Sequence, residues 1–289
     1  MSESYTIGYS SLCQSMPSVA YRSSTLQEAA AAHPEIRLMM LDNDLDDTKA
    51  LANATLFATE PVDVAIIFHI NERLGTEINR LLIPKRIPVI AIDIPIPMAV
   101  YFGGNNRESG RLAGEAQGAW IRAHWDGQVD KLLVLTEARV VSALRDRVDY
   151  SVRGLNATLP QPVPRDSTLY LDGGSSRAMA AERTREVLQR WDGFRHIALV
   201  ATNDDSALGA LDAARELGIE ERVAIVGHGA DEQARAEIAR AGSGFVASAD
   251  YHFEQYGPRL VELALHILHG ERVPRENFIQ HTVVGQLTP

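Results

Sequence analysis

Short runs of β-branched and apolar residues alternate along the chain with longer stretches in which apolar residues recur every three or four positions. The second pattern, seen for example over Ala207–Leu217, is typical of a helix with one buried face. Strict alternation of the two patterns favours βαβ units, and therefore parallel sheets covered by helices. The short runs predict strands at Tyr5–Tyr9, Arg37–Leu41, Val62–Phe68, Pro88–Ile92, Lys131–Leu135, Thr168–Leu171, His196–Val200, Val223–Val226 and Gly244–Ala247.

The alternation runs through about four strands and then restarts. The break falls near Asp93–Asn106, where prolines within residues 94–97 and a glycine pair at 103–104 interrupt the periodicity. This pattern predicts two similar doubly wound lobes. No Gly/Ser-rich linker separates them, so a short connection suited to a hinge is expected.

Three glycines with four-residue spacing, Gly110, Gly114 and Gly118, follow the break within a helical pattern. Small residues on one face of a helix allow close packing, and we expect this face to lie against a sheet. We interpret the glycines as packing residues.

Composition and charge limit the classes of function. The chain has 289 residues, of which 45% are hydrophobic and 23% charged, and this balance is typical of a globular protein with room for two domains. The formal net charge of −10 and the lack of a basic run argue against a nucleic-acid partner. The single cysteine, Cys13, and the scattered histidines predict neither a disulfide nor a metal site.

The start of the chain is polar and runs at once into the first predicted strand. A secretory signal would need an apolar stretch there. We therefore expect either a cytoplasmic protein or one whose signal peptide has been removed. No apolar run of about 18 residues predicts a membrane span.

Polar residues follow the predicted strands, at the edge where open parallel sheets bind ligands. Two rims of hydroxyl, amide and carboxylate groups could bind a polyhydroxylated molecule. Helix capping is the competing interpretation, and Asn203, which stands just before a helix with Asp204 in its first turn, illustrates it. The residues are Ser10, Ser11, Asp42, Asn43, His69, Asn71 and Asp93, then Glu137, Arg139, Asp172, Asn203, Asp204, His228 and Asp231.

Motifs of enzymes are missing from the sequence. No GxGxxG, GxxxxGK[ST], GxSxG or HExxH pattern occurs. We therefore predict a binding protein with no catalytic residues and no cofactor.

The segment Ala201–Gly218, which reads ATNDDSALGALDAARELG, resembles a signature of the type I periplasmic sugar-binding proteins. The effector-binding cores of lactose-repressor-like regulators share this signature. Other segments are similar to the family in order and spacing, so that the resemblance covers nearly the whole chain. These segments are residues 62–67, 87–93, 105–114, 226–229, 251–257 and 268–274.

The resemblance implies an α/β fold with two doubly wound parallel-sheet lobes joined by a three-crossover hinge, in the manner of periplasmic-binding-protein-like I domains. The crossovers are expected near Phe102–Asn105, Ser248–Tyr251 and Ile279–Val283. Ligand would bind between the lobes, which would close around it. The implied lobes are residues 1–103 plus 251–280 and residues 104–250 plus 281–289.

The resemblance also implies ligand-binding positions. In the first lobe these are Ser11, Gln14 and Asp93. In the second they are an arginine of the Arg145–Arg147 stretch, Asn203, and Tyr251, where many members have glutamine.

Three departures from the family pattern bear on the ligand. The family turn Gly-Phe-Asp-Gly is replaced by residues 227–230, so that Gly229 stands for the aspartate, and His228 or Asp231 are expected to compensate. Ile94 stands where many members have arginine, and residues 16–19 lack the aromatic groups that stack on sugars. The ligand could therefore be a polyol, an unusual sugar or a modified nucleoside as well as an ordinary sugar.

The resemblance leaves two main functions open. The first is a monomeric periplasmic solute-binding protein that delivers a sugar or polyol to the membrane permease of an ABC-type importer. The second is the effector-binding core of a lactose-repressor-like regulator, or a sensor domain, which would be dimeric and, as a regulator, cytoplasmic. An enzyme on a similar sheet, which would turn over its ligand, is the third.

Overall fold

The computed structural model describes residues 4–139 and 143–287. The chain divides into two compact units, and it passes from one to the other after Gly104, after Tyr251 and after Ile279. We call them unit 1, made of Met1–Gly104 and His252–Ile279, and unit 2, made of Asn105–Tyr251 and Gln280–Pro289.

Strands and helices alternate along most of the chain. The strands are β1 (Tyr5–Ser11), β2 (Ile36–Asp42), β3 (Val64–Ile67), β4 (Val89–Ile92), β5 (Val100–Gly104), β6 (Lys131–Thr136), β7 (Thr168–Asp172), β8 (Ile197–Ala201), β9 (Val223–Gly229), β10 (Phe245–Asp250), β11 (Glu276–Ile279) and β12 (Thr282–Gly285). The helices are α1 (Pro17–Ala31), α2 (Asp47–Thr59), α3 (Glu72–Leu82), α4 (Asn106–Trp125), α5 (Ala143–Thr158), α6 (Arg177–Arg190), α7 (Asp204–Glu216), α8 (Glu232–Ala239) and α9 (Tyr256–Leu268).

Each unit is built on a six-stranded sheet. The sheet of unit 1 has the order β11-β5-β4-β3-β1-β2, and all its neighbouring strands are parallel. The sheet of unit 2 has the order β12-β10-β9-β8-β6-β7 and is parallel except for β12, which runs antiparallel to β10. The predicted α/β class with two doubly wound parallel sheets is therefore confirmed.

Burial explains why the central strands among the nine predicted ones form. The central strands β3, β4 and β8 are buried at every position, so they read as uninterrupted apolar runs. In unit 2, the side chains of β8 and β9 pack with those of α7 in one apolar core, which includes Leu199, Ile225 and Leu211. Strands β5, β11 and β12 were not predicted.

The glycine-rich face of α4 packs against helix α5, and the expectation that it faces a sheet was wrong. A methyl group added at Gly110 would overlap the carbonyl oxygen of Arg147, and one at Gly114 would overlap that of Ser151. Gly154 of α5 faces the backbone of α4 in the same way. We call this contact between α4 and α5 the glycine seam. It holds the backbone of Arg147, which lies on α5, against Gly110 of α4.

No helix in the described ranges, 4–139 and 143–287, is long and apolar enough to cross a membrane. Across the same residues no group of three or more metal-binding side chains comes together.

Candidate functional site

The carboxyl ends of the strands carry a cluster of polar residues in each unit, and each cluster is described by itself. In unit 1 the sheet order places the ends of β4, β3, β1 and β2 side by side. Asp93 follows β4, and Ser11 ends β1. These are the positions at which open parallel sheets bind ligands.

Asp93 is the anchor of the unit 1 cluster. Its buried carboxylate accepts hydrogen bonds from Nη1 of Arg22 at 2.6 Å and from the hydroxyl of Tyr256 at 2.9 Å. The backbone of Asp93 is left-handed, with φ of 57°, a conformation that costs free energy and persists where surrounding contacts enforce it. A side chain at Gly103 would overlap this carboxylate, so glycine is required there.

Arg22 is the main residue of unit 1 that sequence reasoning missed. It lies on α1 and is only 8% exposed. Its guanidinium stands 4.5 Å from the ring centroids of both Phe68 and Phe253. Arg22 supplies a cation to the Asp93 carboxylate from α1, whereas the family pattern expects an arginine at position 94. The sequence does place Arg22 on the same helix face as the buried Val19 and Leu26, and a charged residue on a buried face could have indicated a functional arginine.

Ser11 and Gln14 both donate hydrogen bonds to the carboxylate of Asp42. The hydroxyl of Ser11 donates to Oδ1 of Asp42 at 2.9 Å, and the backbone N–H of Gln14 donates to both oxygens of the same carboxylate. The Gln14 side chain donates to the Ser23 hydroxyl at 2.7 Å. The structure thus brings these two predicted residues together, with Ser11 buried and Gln14 exposed.

Arg147 is the predicted arginine that joins the unit 2 cluster. It is 7% exposed, and it donates from Nε to the side-chain oxygen of Asn106 at 2.8 Å and from Nη1 to the carbonyl of Thr202 at 2.6 Å. Its guanidinium carbon lies 4.8 Å from the ring centroid of Tyr251. Arg145 points elsewhere, since its exposed side chain pairs with Asp149 and stacks on Tyr170.

Tyr251 is the centre of the unit 2 cluster. Its ring is buried, and its hydroxyl shares a hydrogen bond of 2.8 Å with Ser109. The imidazole rings of His281 and His228 lie 4.4 Å and 6.3 Å from it, centroid to centroid. Three predicted residues, Arg147, His228 and Tyr251, therefore come together, and the sequence did not indicate Asn106, Ser109 or His281.

His228 is buried and neutral. Burial, reinforced by the charges of Arg147 and His281, holds the pKa of its imidazole well below the usual 6.5. The Ser151 hydroxyl donates to the carbonyl of Arg147 at 2.9 Å and lies 3.3 Å from Nε2 of His228. Nδ1 of His228 has no hydrogen-bond partner among the described residues.

Asn203 and Asp231 are helix caps. The side-chain oxygen of Asn203 accepts from the N–H of Ser206 at 2.9 Å, and its amide donates to the carbonyl of Ser175 at 3.1 Å. Asp231 caps α8 by accepting from the N–H of Ala234 at 2.9 Å. The capping interpretation of Asn203 is confirmed, and a ligand contact by either residue stays a prediction.

Asp204 is buried, and its carboxyl connects the segment after β8 with the segment after β9 and with strand β10. Its carboxyl accepts from the Ser248 hydroxyl at 2.7 Å and from the N–H of Asp231 at 3.0 Å. Burial, with the nearby Asp231 carboxylate adding to it, raises the pKa of Asp204 to about 8. The carboxyl is therefore mostly uncharged at neutral pH.

Several solved structures with the same fold are solute-binding proteins or domains. A Mycobacterium smegmatis ABC transporter solute-binding protein with bound glycerol is 22% identical, with a TM-score of 0.85 over 98% of this chain and 94% of that one. One from Bacillus halodurans with bound myo-inositol is 19% identical, with a TM-score of 0.82 over 99% and 96%. The fructose-binding periplasmic domain of a hybrid two-component system is 22% identical, with a TM-score of 0.78 over 98% and 91%.

Sequence comparison identifies the family independently of these folds. Among proteins of curated function, none matches the chain. A model of the periplasmic binding protein domain matches residues 21–272, which is most of the 289 residues. The predicted resemblance is confirmed, and the chain belongs to the periplasmic binding protein family.

Proposed function

We propose that the chain is the solute-binding protein of an ABC-type importer, and that it binds a sugar, a polyol or a related small polar molecule between its two units. Closure of the hinge would trap the solute, and the membrane permease would recognise the closed form. The protein would act as a monomer in the periplasm.

The observation that carries this proposal is the pair of clusters at the carboxyl ends of the strands. Each combines a buried arginine with aromatic rings, Arg22 with Phe68 in unit 1 and Arg147 with Tyr251 in unit 2. Fixed hydrogen-bonding groups beside aromatic faces are suited to hydroxyl groups and C–H faces of a polyhydroxylated ligand. Solute-binding proteins of this fold with bound glycerol and myo-inositol support the same class of ligand.

A thermal-shift screen tests the proposal. The panel contains pentoses, hexoses, alditols, sugar acids, nucleosides and amino acids. A ligand at about a thousand times its Kd adds roughly 4 kcal/mol to the free energy of unfolding, which raises the Tm of a chain this size by about 8 °C or more. A shift confined to sugars, polyols or their derivatives supports the proposal, and no shift across the panel contradicts it.

Binding without catalysis is part of the proposal. After hours with the protein, the ligand should be recovered chemically unchanged, as nuclear magnetic resonance of the released fraction would show. Conversion of the ligand would favour the enzyme alternative.

A sensor or regulator core is the second candidate, because the fructose-binding domain of a two-component system has the same fold. Oligomeric state separates the two functions, since effector cores of lactose-repressor-like regulators dimerise. Light scattering that finds a dimer, with or without ligand, would favour the regulator.

A further inference from the structure

We propose that the solute is acidic: a hydroxy acid such as an aldonate or uronate, whose carboxylate pairs with the guanidinium of Arg147. This inference rests on the proposed solute binding and narrows it to one chemical class.

The two buried arginines of the described residues differ in what balances their charge. Arg22 forms an ion pair with Asp93 at 2.6 Å. Arg147 donates only to neutral acceptors, the Asn106 amide oxygen and the Thr202 carbonyl, and no described carboxylate lies within ion-pair distance of it. A buried charge without a counter-ion is costly, and a ligand that brings the counter-ion recovers that cost.

The groups around Arg147 add no negative charge. His228 and His281 stand beside it on the Tyr251 ring, and neither is an anion. Residue 229, at the end of β9, is glycine, so the turn after that strand offers no carboxylate there. The unit 2 cluster around Tyr251 therefore carries a net positive charge.

The buried carboxyl groups of unit 2 are each neutralised by another partner. Glu137 accepts three hydrogen bonds from Arg139, and Asp250 pairs with Arg235. Asp204 bonds to Ser248 and to the backbone of Asp231, and its raised pKa leaves it mostly protonated at neutral pH. None of the three balances Arg147.

The donors of Arg147 suit a carboxylate. Nε and Nη1 are used by the protein, whereas the two hydrogens of Nη2 have no acceptor among the described residues. A carboxylate oxygen there would form charge-assisted hydrogen bonds, which are about twice as strong as bonds to a neutral hydroxyl.

His228 indicates that the acid also carries hydroxyl groups. Its buried Nδ1 has no hydrogen-bond partner among the described residues. A buried polar atom without a partner costs about 1–3 kcal/mol. A ligand hydroxyl both donates and accepts, so it can pair with Nδ1 in either imidazole tautomer, and Arg147 and His228 together favour a hydroxy acid over a simple carboxylate.

Calorimetry with matched pairs tests the inference on the native protein. Each pair shares a carbon skeleton: glycerate with glycerol, gluconate with glucitol, and galacturonate with galactose. We expect the acid of at least one pair to bind about tenfold or more tightly than its neutral partner. A neutral partner that binds as tightly as its acid in every pair that binds overturns the inference and leaves the proposed function standing. Absence of binding by every compound here and in the thermal-shift panel contradicts both.

Asn106→Asp localises the carboxylate. This isosteric change places a negative charge on Nε of Arg147, at the first residue of α4, where the helix dipole favours an acid. We expect the variant to lose most of the preference for the acid. Asn105→Asp is the matched control, because it adds the same charge one residue away and keeps the helix cap of α4. A preference unchanged in Asn106→Asp, or lost equally in both folded variants, overturns the assignment to Arg147.

Discussion

The hydroxyl of Tyr256 donates to Oδ1 of Asp93 at 2.9 Å, although 163 residues of chain separate the two. Arg22 donates to the other carboxylate oxygen from α1. A side chain at the end of β4 is thus held by the first and the last helix of unit 1. Its orientation depends on the fold of the whole unit and not on its own loop.

We expect Arg22→Met to lower the free energy of unfolding by about 3–5 kcal/mol, because it leaves the buried Asp93 carboxylate without a cation. Adding Asp93→Asn should restore part of the loss, since a neutral amide needs no counter-ion and asparagine tolerates a positive φ. Urea denaturation of both variants measures the difference. A double variant no more stable than Arg22→Met would contradict the ion-pair account.

Asn203→Ala should lower the free energy of unfolding by about 1 kcal/mol, since it removes the cap of α7. Asn203→Ser is the control that retains a capping oxygen without adding a charge, and it should be more stable than Asn203→Ala, although both variants lose the hydrogen bond to Ser175. Calorimetry then tests the ligand contact: Asn203→Ala should weaken binding by about 1–3 kcal/mol. Unchanged affinity would restrict Asn203 to the role of a cap.

Gly110→Ala should destabilise the protein by about 1–3 kcal/mol or more, because the added methyl group overlaps the Arg147 carbonyl in the glycine seam. Gly193→Ala adds the same group where no atom lies within 4 Å, and its effect should stay within about 0.5 kcal/mol. Thermal denaturation compares the two variants. Equal changes in Tm for the two variants would mean that α4 and α5 can move apart at Gly110 without loss of stability.

We expect the free energy of unfolding to depend on pH because of Asp204. Its pKa is raised in the folded protein from 3.8 to about 8, so between these values the folded state holds a proton that the unfolded state releases. Stability should therefore fall as the pH rises, by up to about 1.4 kcal/mol per pH unit from this group. Asp204→Asn cannot titrate and should flatten the slope between pH 5 and 8.

The control for this pH dependence is Asp192→Asn, whose carboxylate is 89% exposed. Its slope should match that of the native protein when Tm is followed across the same range. An equal slope in Asp204→Asn would show that another group causes the dependence.

The central strands β3, β4 and β8 were predicted because burial makes them uniformly apolar. Strands β2 and β7 were predicted from their apolar residues, although neither has a buried position. Strands β11 and β12 were missed because each combines a length of only four residues with mostly exposed or half-buried positions. Strand β5 ends in Gly103 and Gly104, which were interpreted as an interruption of the pattern. Gly103 is there because the Asp93 carboxylate occupies the space of a side chain, a contact between strands that periodicity cannot reveal.

The candidate site was predictable where family spacing points to a residue and unpredictable where helices supply it. Arg147 lies in the expected stretch, but only packing distinguishes it from the exposed Arg145. Arg22 reaches Asp93 from a helix 71 residues earlier, which no local pattern records. Asn203 stands at a family ligand position and also caps α7, so the sequence pattern does not separate the two roles.

The glycine seam limits how the recognition of this protein can be redesigned. Because α4 and α5 touch through backbone atoms at Gly110, Gly114 and Gly154, a bulkier residue there would shift the helix that carries Arg147. A mutant library aimed at new ligands should therefore hold these glycines constant and vary side chains such as Asn106 and His228. In a biosensor built on this scaffold, the seam would keep the arginine in place while specificity is changed around it.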